Sequence, residues 1–306
     1  MPIILADSLP TRHALEAEGI RVLREAPDRS GDATPLRVAL VNLMPRKTDS
    51  EMQIARLLGG TPRTVALTLV VPDSYVSNTT PAFYLTDFYK RWSDIREGAY
   101  DALIVTGAPV ECLPFEDVTY WPELTQIFDW AARKVRRSYY ICWAAQAALY
   151  HFHDVPKHRL PKKRFGVYHQ AILCPGNPIF EGIAGSFPVP VSRHTETRCE
   201  DLPRDHGLTV LAESPQSGLC MVEDRDRRAL YMFNHLEYDT DTLAEEFHRD
   251  RNAGAAIALP EHYYPSHDPA RRPVNTWRPY ARRIFRNWLR GVAPAADAAA
   301  VESSAA

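Results

Sequence analysis

The sequence lacks long hydrophobic runs and has no excess of charge of one sign. None of its 306 residues belong to a run of the roughly 20 apolar residues that cross a bilayer. The opening, MPIILADSLPTRHALEAEG, has neither the basic nor the apolar segment of a secretory signal. Its 36 Lys and Arg are matched by 38 Asp and Glu, so no basic excess favours nucleic acid or anionic lipid. These absences predict a cytoplasmic protein with a small-molecule partner and with no nucleic-acid or membrane partner.

Cysteine is also scarce, and the few cysteines are scattered. The five are Cys112, Cys142, Cys174, Cys199 and Cys220. An odd number without CxxC or any other metal-ligand spacing argues against a disulfide framework and against a zinc site. We therefore expect a reducing compartment and no metal. We also expect no resident cofactor.

In the first half of the chain, β-branched runs alternate with segments of helical periodicity. The predicted strands are LRVALVNLMP (36–45), RTVALTLVVPD (63–73), YDALIVTGAPVE (100–111) and SYYIC (138–142). The predicted helices are SEMQIARLLGG (50–60), a stretch near FYKRWSDI (88–95) and YWPELTQIFDWAARKV (120–135). Continuously apolar strands that alternate with helices are typical of parallel sheets buried on both faces. The sequence therefore predicts an α/β fold with a mostly parallel sheet flanked by helices.

From about Gly166 the pattern changes to short apolar runs separated by turn-forming residues. These runs predict further strands, some of them antiparallel, followed by helices near residues 240–254 and 282–292. No Ser/Gly-rich linker divides the chain, so we expect a single domain over residues 1–290. The small-residue end, residues 291–306, is expected to be disordered.

Cys142 is the first candidate for chemistry. The strand SYYI leads directly into Cys142 and then into WAAQAALYHF, whose alanines favour a helix. A thiol at such a strand-to-helix turn faces the positive end of the helix dipole, which favours the nucleophilic thiolate. α/β-hydrolases present a serine on the same kind of nucleophile elbow, although their G-x-S-x-G glycines are absent here. The backbone N–H of Trp143 is then a candidate oxyanion donor. The alternative is a buried core cysteine.

A candidate base lies in ALYMFNHLEYD, where an apolar strand ends in His235 and Glu237 follows two residues later. In an extended segment these two side chains point to the same side, so the carboxylate can orient the imidazole. The alternative is a structural histidine beside a solvated glutamate.

Four motifs together resemble a known family. They are NLMPRK (42–47), TGAPVE (106–111), CWAAQAAL (142–149) and HLEYD (235–239). In order and spacing they are similar to the homoserine O-acyltransferases of methionine biosynthesis, within the class I glutamine amidotransferase-like superfamily of flavodoxin-like three-layer folds. The resemblance extends from the opening MPI to the late RNWL. It implies that Cys142 carries an acyl thioester, that His235 is the proton acceptor and that Glu237 completes the triad.

The same resemblance implies substrates and further site residues. Lys163, Ser192 and Arg249 match substrate-binding positions, although on their own the two cations would more often be solvated surface charges. The implied reaction is a ping-pong transfer from acyl-CoA, here a co-substrate, to the hydroxyl of L-homoserine. A homodimer is plausible from the family.

Glu111 stands where the family pattern has glutamate for acetyl-CoA and glycine for succinyl-CoA. A glutamate there would fill space and repel the distal carboxylate of a succinyl group, so the sequence favours acetyl. Arg46-Lys47 and Leu236 depart from common family forms, and the second departure leaves serine open as an acceptor. Succinyl transfer, hydrolase or amidotransferase chemistry on the same scaffold, and a non-catalytic binding protein also stay open.

Overall fold

The computed structural model describes residues 2–24, 34–61, 63–77, 79–204 and 207–292. Of the end predicted to be disordered, residues 293–306 lie outside the described residues.

The described residues form one continuous sheet of twelve strands. The strands are β1 (Ile3–Ile4), β2 (Val22–Leu23), β3 (Leu36–Val41), β4 (Val65–Val71), β5 (Lys90–Arg91), β6 (Ala102–Val105), β7 (Arg137–Ile141), β8 (His158–Ile172), β9 (Ser186–Glu196), β10 (Leu208–Ser214), β11 (Gly218–Asp224) and β12 (Ala229–Met232). Their order is β2-β1-β4-β3-β6-β7-β12-β11-β10-β8-β9, with β5 beside β4. All pairs from β2 to β12 are parallel, and those from β12 to β9 are antiparallel.

Helices cover both faces of the sheet. They are α1 (Thr11–Ala17), α2 (Lys47–Gly59), α3 (Ala82–Phe88), α4 (Trp92–Ile95), α5 (Trp121–Lys134), α6 (Trp143–His153), α7 (Thr242–Asn252) and α8 (Arg278–Arg290). Short 3-10 turns lie at Pro178–Phe180, Cys199–Asp201 and Pro265–His267. One apolar core joins the sheet to α2 and α8, and a second joins its other face to α5 and α6. Because both faces are covered, the central parallel strands are buried throughout, as in β6. The predicted α/β architecture is confirmed.

Two local predictions were wrong. The stretch near residues 88–95 is not one helix: α3 ends at Phe88, Lys90 and Arg91 form β5, and α4 begins at Trp92. Tyr89 is extended because its hydroxyl is drawn inward to the buried Glu51 carboxylate. The third predicted strand ends at Val105, because Gly107 and Pro109 follow and neither suits a central strand.

Gly166 in β8 lies against the backbone of the segment at Glu261. Val167 N donates to Glu261 O at 2.8 Å, and Glu261 N donates to Phe165 O at 2.9 Å. A Cβ on Gly166 would lie 2.3 Å from Glu261 O. The clash is with backbone, so it is relieved only if the 261 segment moves away.

Gly166→Ala is therefore expected to lower the free energy of unfolding by about 3 kcal/mol, because overpacking displaces two backbone hydrogen bonds. Denaturant unfolding followed by circular dichroism measures the change. Gly185→Ala, where φ is also positive but a Cβ would meet nothing within 4 Å, is the matched control. Equal stability of the two variants would contradict the steric account.

Within the described residues, no helix combines the length and the apolar character required to span a bilayer.

Candidate active site

Cys142 occupies the junction of β7 and α6 in a strained backbone conformation. Its φ is +52° and its ψ is −115°, a region that residues with a side chain seldom adopt. Its amide donates to Met232 O at 2.7 Å, and its carbonyl accepts from Ala145 N at 3.0 Å. The thiol is nearly buried, with 7% of the residue exposed. The predicted strand-to-helix turn is confirmed, and its strain is that of a nucleophile elbow.

Gly107 leaves space directly in front of this elbow. A Cβ there would lie 3.3 Å from Cys142 Cβ and 3.8 Å from Trp143 N. As the first residue of α6, Trp143 has an amide without an acceptor one turn earlier in the helix. This amide belongs to the residue that follows Cys142, and its oxyanion role stays a prediction.

His235 and Glu237 are hydrogen-bonded, but not in the way that the sequence suggested. His235 Nδ1 lies 2.6 Å from Glu237 Oε1, and only 4% of His235 is exposed. Strand β12 ends at Met232, and residues 235–237 lie in a turn rather than an extended segment. The His235 amide donates to Pro190 O at 2.9 Å, which anchors this turn to β9. Alternation along a strand was therefore the wrong reason for a pairing that does form.

Burial alone would lower the pKa of the His235 imidazole. The negative charges of Glu237 and of a Cys142 thiolate, together with hydrogen bonds to both, instead raise this pKa well above its ordinary value. The imidazole therefore lies within hydrogen-bonding reach of the Cys142 side chain and is stabilised in its protonated form, as expected of a base placed beside a nucleophile.

Tyr238 and Glu246 complete the surroundings of His235, and sequence reasoning missed both. The Tyr238 ring stacks on the imidazole with the ring centroids 4.2 Å apart. The Tyr238 hydroxyl donates to Glu246 Oε1 at 2.6 Å. The imidazole is thus held between a carboxylate on Nδ1 and an aromatic face.

Glu246 is the centre of a buried polar cluster on α7. Lys163 Nζ donates to Glu246 Oε2 at 3.1 Å and to Asp250 Oδ2 at 2.9 Å, and the Ser192 hydroxyl also donates to Glu246 Oε2. Burial alone would raise the pKa of the Glu246 carboxyl, yet the Lys163 ammonium and two hydroxyl donors hold it below its ordinary value. Lys163 is only 10% exposed in its side chain, so it is not the solvated surface cation that composition alone favours.

Arg249 lies on the same helix but nearer to solvent. Its side chain is 62% exposed and is held to Asp250, with Arg249 Nη2 and Asp250 Oδ1 2.7 Å apart. The spacing of Glu246, Arg249 and Asp250 puts all three on one face of α7, a signal that was available in the sequence.

Glu111 projects from the loop after β6. Its Oε1 accepts from His194 N at 3.2 Å. Burial raises the pKa of the Glu111 carboxyl above its ordinary value, and nearby His194, Lys163 and His235 oppose that rise.

The NLMPRK motif leads from β3 into the first residue of α2. Lys47 is buried, and its Nζ donates to Asn42 O at 2.7 Å and to Met44 O at 3.2 Å. Arg46, one residue earlier, is exposed and forms an ion pair with Glu245 on α7.

A single cavity of about 860 Å³ joins these groups at the carboxyl end of the parallel strands. Its lining includes Cys142, His235, Lys163, Ser192, Arg249 and Glu111. Glu237 lies behind His235, on the side away from the thiol. Within the ranges that the structure describes, no group of three or more histidines, cysteines or carboxylates could hold a metal ion. The cavity thus joins a thiol–imidazole–carboxylate series to a cluster of paired cations and carboxylates.

The fold is of the class found in solved glutamine amidotransferases. A glutamine amidotransferase from Thermotoga maritima is similar with a TM-score of 0.58 and 14% identity, covering 86% of this chain and all of the other. A glutamine amidotransferase from Methylobacillus flagellatus is similar with a TM-score of 0.55 and 12% identity, covering 86% of this chain and 96% of that one. At these identities the likeness concerns the fold alone.

Sequence comparisons identify the family within this class. The model of the family described as HTS, homoserine O-succinyltransferase, matches residues 2–295. A homoserine O-acetyltransferase from Brucella canis is 48% identical over 289 residues, 94% of each chain. One from Novosphingobium aromaticivorans is 50% identical over 289 residues, 94% of this chain and 95% of the relative. The chain belongs to the homoserine O-succinyltransferase family and is an acyltransferase.

Proposed function

We propose that the protein transfers an acetyl group from acetyl-CoA to the side-chain hydroxyl of L-homoserine, through a thioester on Cys142. The observation that carries this proposal is the Cys142–His235–Glu237 series at the floor of the 860 Å³ cavity. A strained elbow presents the thiol, and a buried imidazole beside it is oriented by a carboxylate.

In the first half-reaction, the Cys142 thiolate attacks the carbonyl carbon of the acyl-CoA thioester. The Trp143 amide stabilises the oxyanion that forms. The bond from this carbon to the CoA sulfur then breaks, and the His235 imidazolium gives its proton to the departing CoA thiolate. The product is acetyl-Cys142 with a neutral His235.

In the second half-reaction, the homoserine hydroxyl attacks the thioester carbon as neutral His235 accepts its proton. The bond from the carbon to Cys142 breaks, so the thiolate and the imidazolium are restored together. Glu237 stabilises this imidazolium and fixes its tautomer, since its carboxylate receives Nδ1–H.

The polar cluster on α7 suits an amino-acid acceptor. Homoserine carries a carboxylate, for which Arg249 and Lys163 are cationic partners, and an ammonium, for which Glu246 and Asp250 are anionic ones. Ser192 lies between these charges, bound to Glu246. Paired opposite charges of this kind favour a zwitterionic acceptor over water.

Glu111 favours acetyl over succinyl, because a partly buried carboxylate in the acyl pocket takes up volume and repels a second carboxylate. The names of the curated relatives support acetyl transfer, whereas the description of the family model refers to succinyl transfer.

Mass spectrometry of the protein mixed with acetyl-CoA, without acceptor, is expected to detect one added acetyl group per chain, because the thioester forms before homoserine is needed. The group should be absent in Cys142→Ala and should leave when homoserine is added. Serine in place of homoserine tests acceptor choice, and succinyl-CoA tests the donor. No adduct with either donor, together with no CoA release on adding homoserine, would rule out the thioester route.

A further inference from the structure

Arg193 on β9 is a buried cation without a carboxylate partner. Only 4% of the residue is exposed, and no carboxylate among the described residues forms an ion pair with it. Its Nε has no hydrogen-bond partner within the described part of the chain. Burying an uncompensated charge costs several kcal/mol. We therefore expect that Arg193 either has a compensating negative charge nearby or has a function that requires its positive charge.

The guanidinium reaches the segment that carries the catalytic candidates. Arg193 Nη1 donates to Phe233 O at 3.4 Å and to Asn234 Oδ1, and Nη2 donates to Ser217 O. The next residue after Asn234 is His235. One residue before Phe233, Met232 O accepts from the Cys142 amide at 2.7 Å. Cys142 and Arg193 are therefore hydrogen-bonded to consecutive residues of one short segment, and His235 ends it.

Glu237 is hydrogen-bonded to His235, Glu246 and Glu111 act on His235 electrostatically, and Lys163 acts on both of those carboxylates. Arg193, His235 and the Tyr238 hydroxyl interact electrostatically with Cys142. The groups that act on Arg193 are Cys142, Cys220, Glu196 and Arg164. A negative charge on Cys142 would favour the charged guanidinium, whereas burial of Arg193 opposes it. Cys220 is fully buried, and burial raises its pKa to about 12, so it stays a neutral thiol near neutral pH.

We propose that Arg193 is a positioning residue of the active site, which favours the Cys142 thiolate by its charge and holds in place the 233–234 segment that leads into His235. The proposal rests on the proposed function in one respect, that Cys142 is the nucleophile. In the resting enzyme two cations, the imidazolium and the guanidinium, then face one thiolate. After acylation the thiolate charge is gone, and the guanidinium is left without its partner until the second half-reaction restores it.

The test is the pH profile of Cys142 alkylation by iodoacetamide, followed on the Cys142 peptide by mass spectrometry because four other cysteines are present. In Arg193→Met the midpoint is expected to move up by about one pH unit, so the rate at pH below the midpoint falls about tenfold. In Arg193→Lys the midpoint should stay within about 0.3 of the wild-type value, since the charge remains. Turnover should nevertheless fall, because the donors of an ammonium share one nitrogen, whereas the guanidinium reaches its acceptors from two separate nitrogens.

Arg159→Met, on the exposed part of β8, is the matched control and should change neither the midpoint nor turnover. A folded Arg193→Met protein with an unmoved midpoint would overturn the proposal, and so would an Arg193→Lys midpoint displaced as far as that of the methionine variant. Arg193→Gln replaces the methionine variant if that one does not fold. If only the lysine variant folds, an unmoved alkylation midpoint supports the proposed effect of the positive charge at residue 193. An upward shift of that midpoint refutes it.

Alkylation needs neither donor nor acceptor. A normal Arg193 effect without any acyl adduct would therefore remove the thioester route but keep the role of Arg193. An acyl adduct without an effect of the Arg193 substitutions would support the thioester route and remove the role of Arg193.

Discussion

Replacing His235 with alanine is expected to lower kcat by about 10³-fold, because in the proposed mechanism the imidazole both protonates the leaving CoA and takes the proton of the attacking hydroxyl. The loss should be largest in the second half-reaction, where the hydroxyl is a poor nucleophile without a base. Steady-state turnover, with single-turnover transfer from the acetylated protein, measures both parts.

The matched variant is His235→Asn, whose amide can still donate to Glu237. The alanine variant leaves the Glu237 carboxylate buried without its partner, so it should be less stable than the asparagine variant. Both should lose turnover alike, because neither side chain can accept and return a proton. Activity near the wild-type level in a folded His235→Asn protein would remove His235 from its assigned role.

Glu111→Gly is expected to change donor preference, raising the ratio of kcat/KM for succinyl-CoA to that for acetyl-CoA by about 100-fold. The variant removes a carboxylate and frees volume in the proposed acyl pocket at the same time. Parallel kinetics with the two donors, at saturating homoserine, measure the ratio.

Glu111→Gln separates charge from volume, because it keeps the size of the side chain and removes its charge. If repulsion dominates, the glutamine variant should gain most of the change; if volume dominates, it should gain little. The raised pKa of Glu111 adds a pH dependence to the wild-type protein. Protonation removes the repulsion, so discrimination against succinyl-CoA should weaken as pH falls and strengthen as pH rises. An unchanged donor ratio in both variants would show that Glu111 does not choose the donor.

The local sequence pattern was sufficient to predict the strand and the helix on either side of Cys142. The run SYYI has only apolar and small residues, and the alanine-rich segment after Cys142 has no strand character, so the turn between them could be placed. The same reasoning did not resolve residues 88–95. There the burial of Tyr89 against Glu51, 38 residues away, outweighs helical periodicity.

Contacts between side chains that are far apart in the sequence were harder to predict. The contact of His235 with Glu237 spans two residues and was foreseen, although a turn makes it and not a strand. The contacts of Glu246 span 54 residues to Ser192 and 83 residues to Lys163, and nothing in the local pattern of α7 indicates them. Arg193 has the sequence context of an ordinary strand cation, since its burial follows only from the packing of β9 against the turn at Ser217 and the end of β12.

The sequence by itself determined the α/β alternation and the place of Cys142 between a strand and a helix, because both follow from side chains within a few residues of one another. The tertiary structure alone decided which charges meet around that thiol. From their local sequence, Lys163, Glu246 and Arg193 would be expected at the surface. In the folded structure their side chains are largely buried. Their burial and mutual distances depend on strand order, which residue spacing along the chain does not encode.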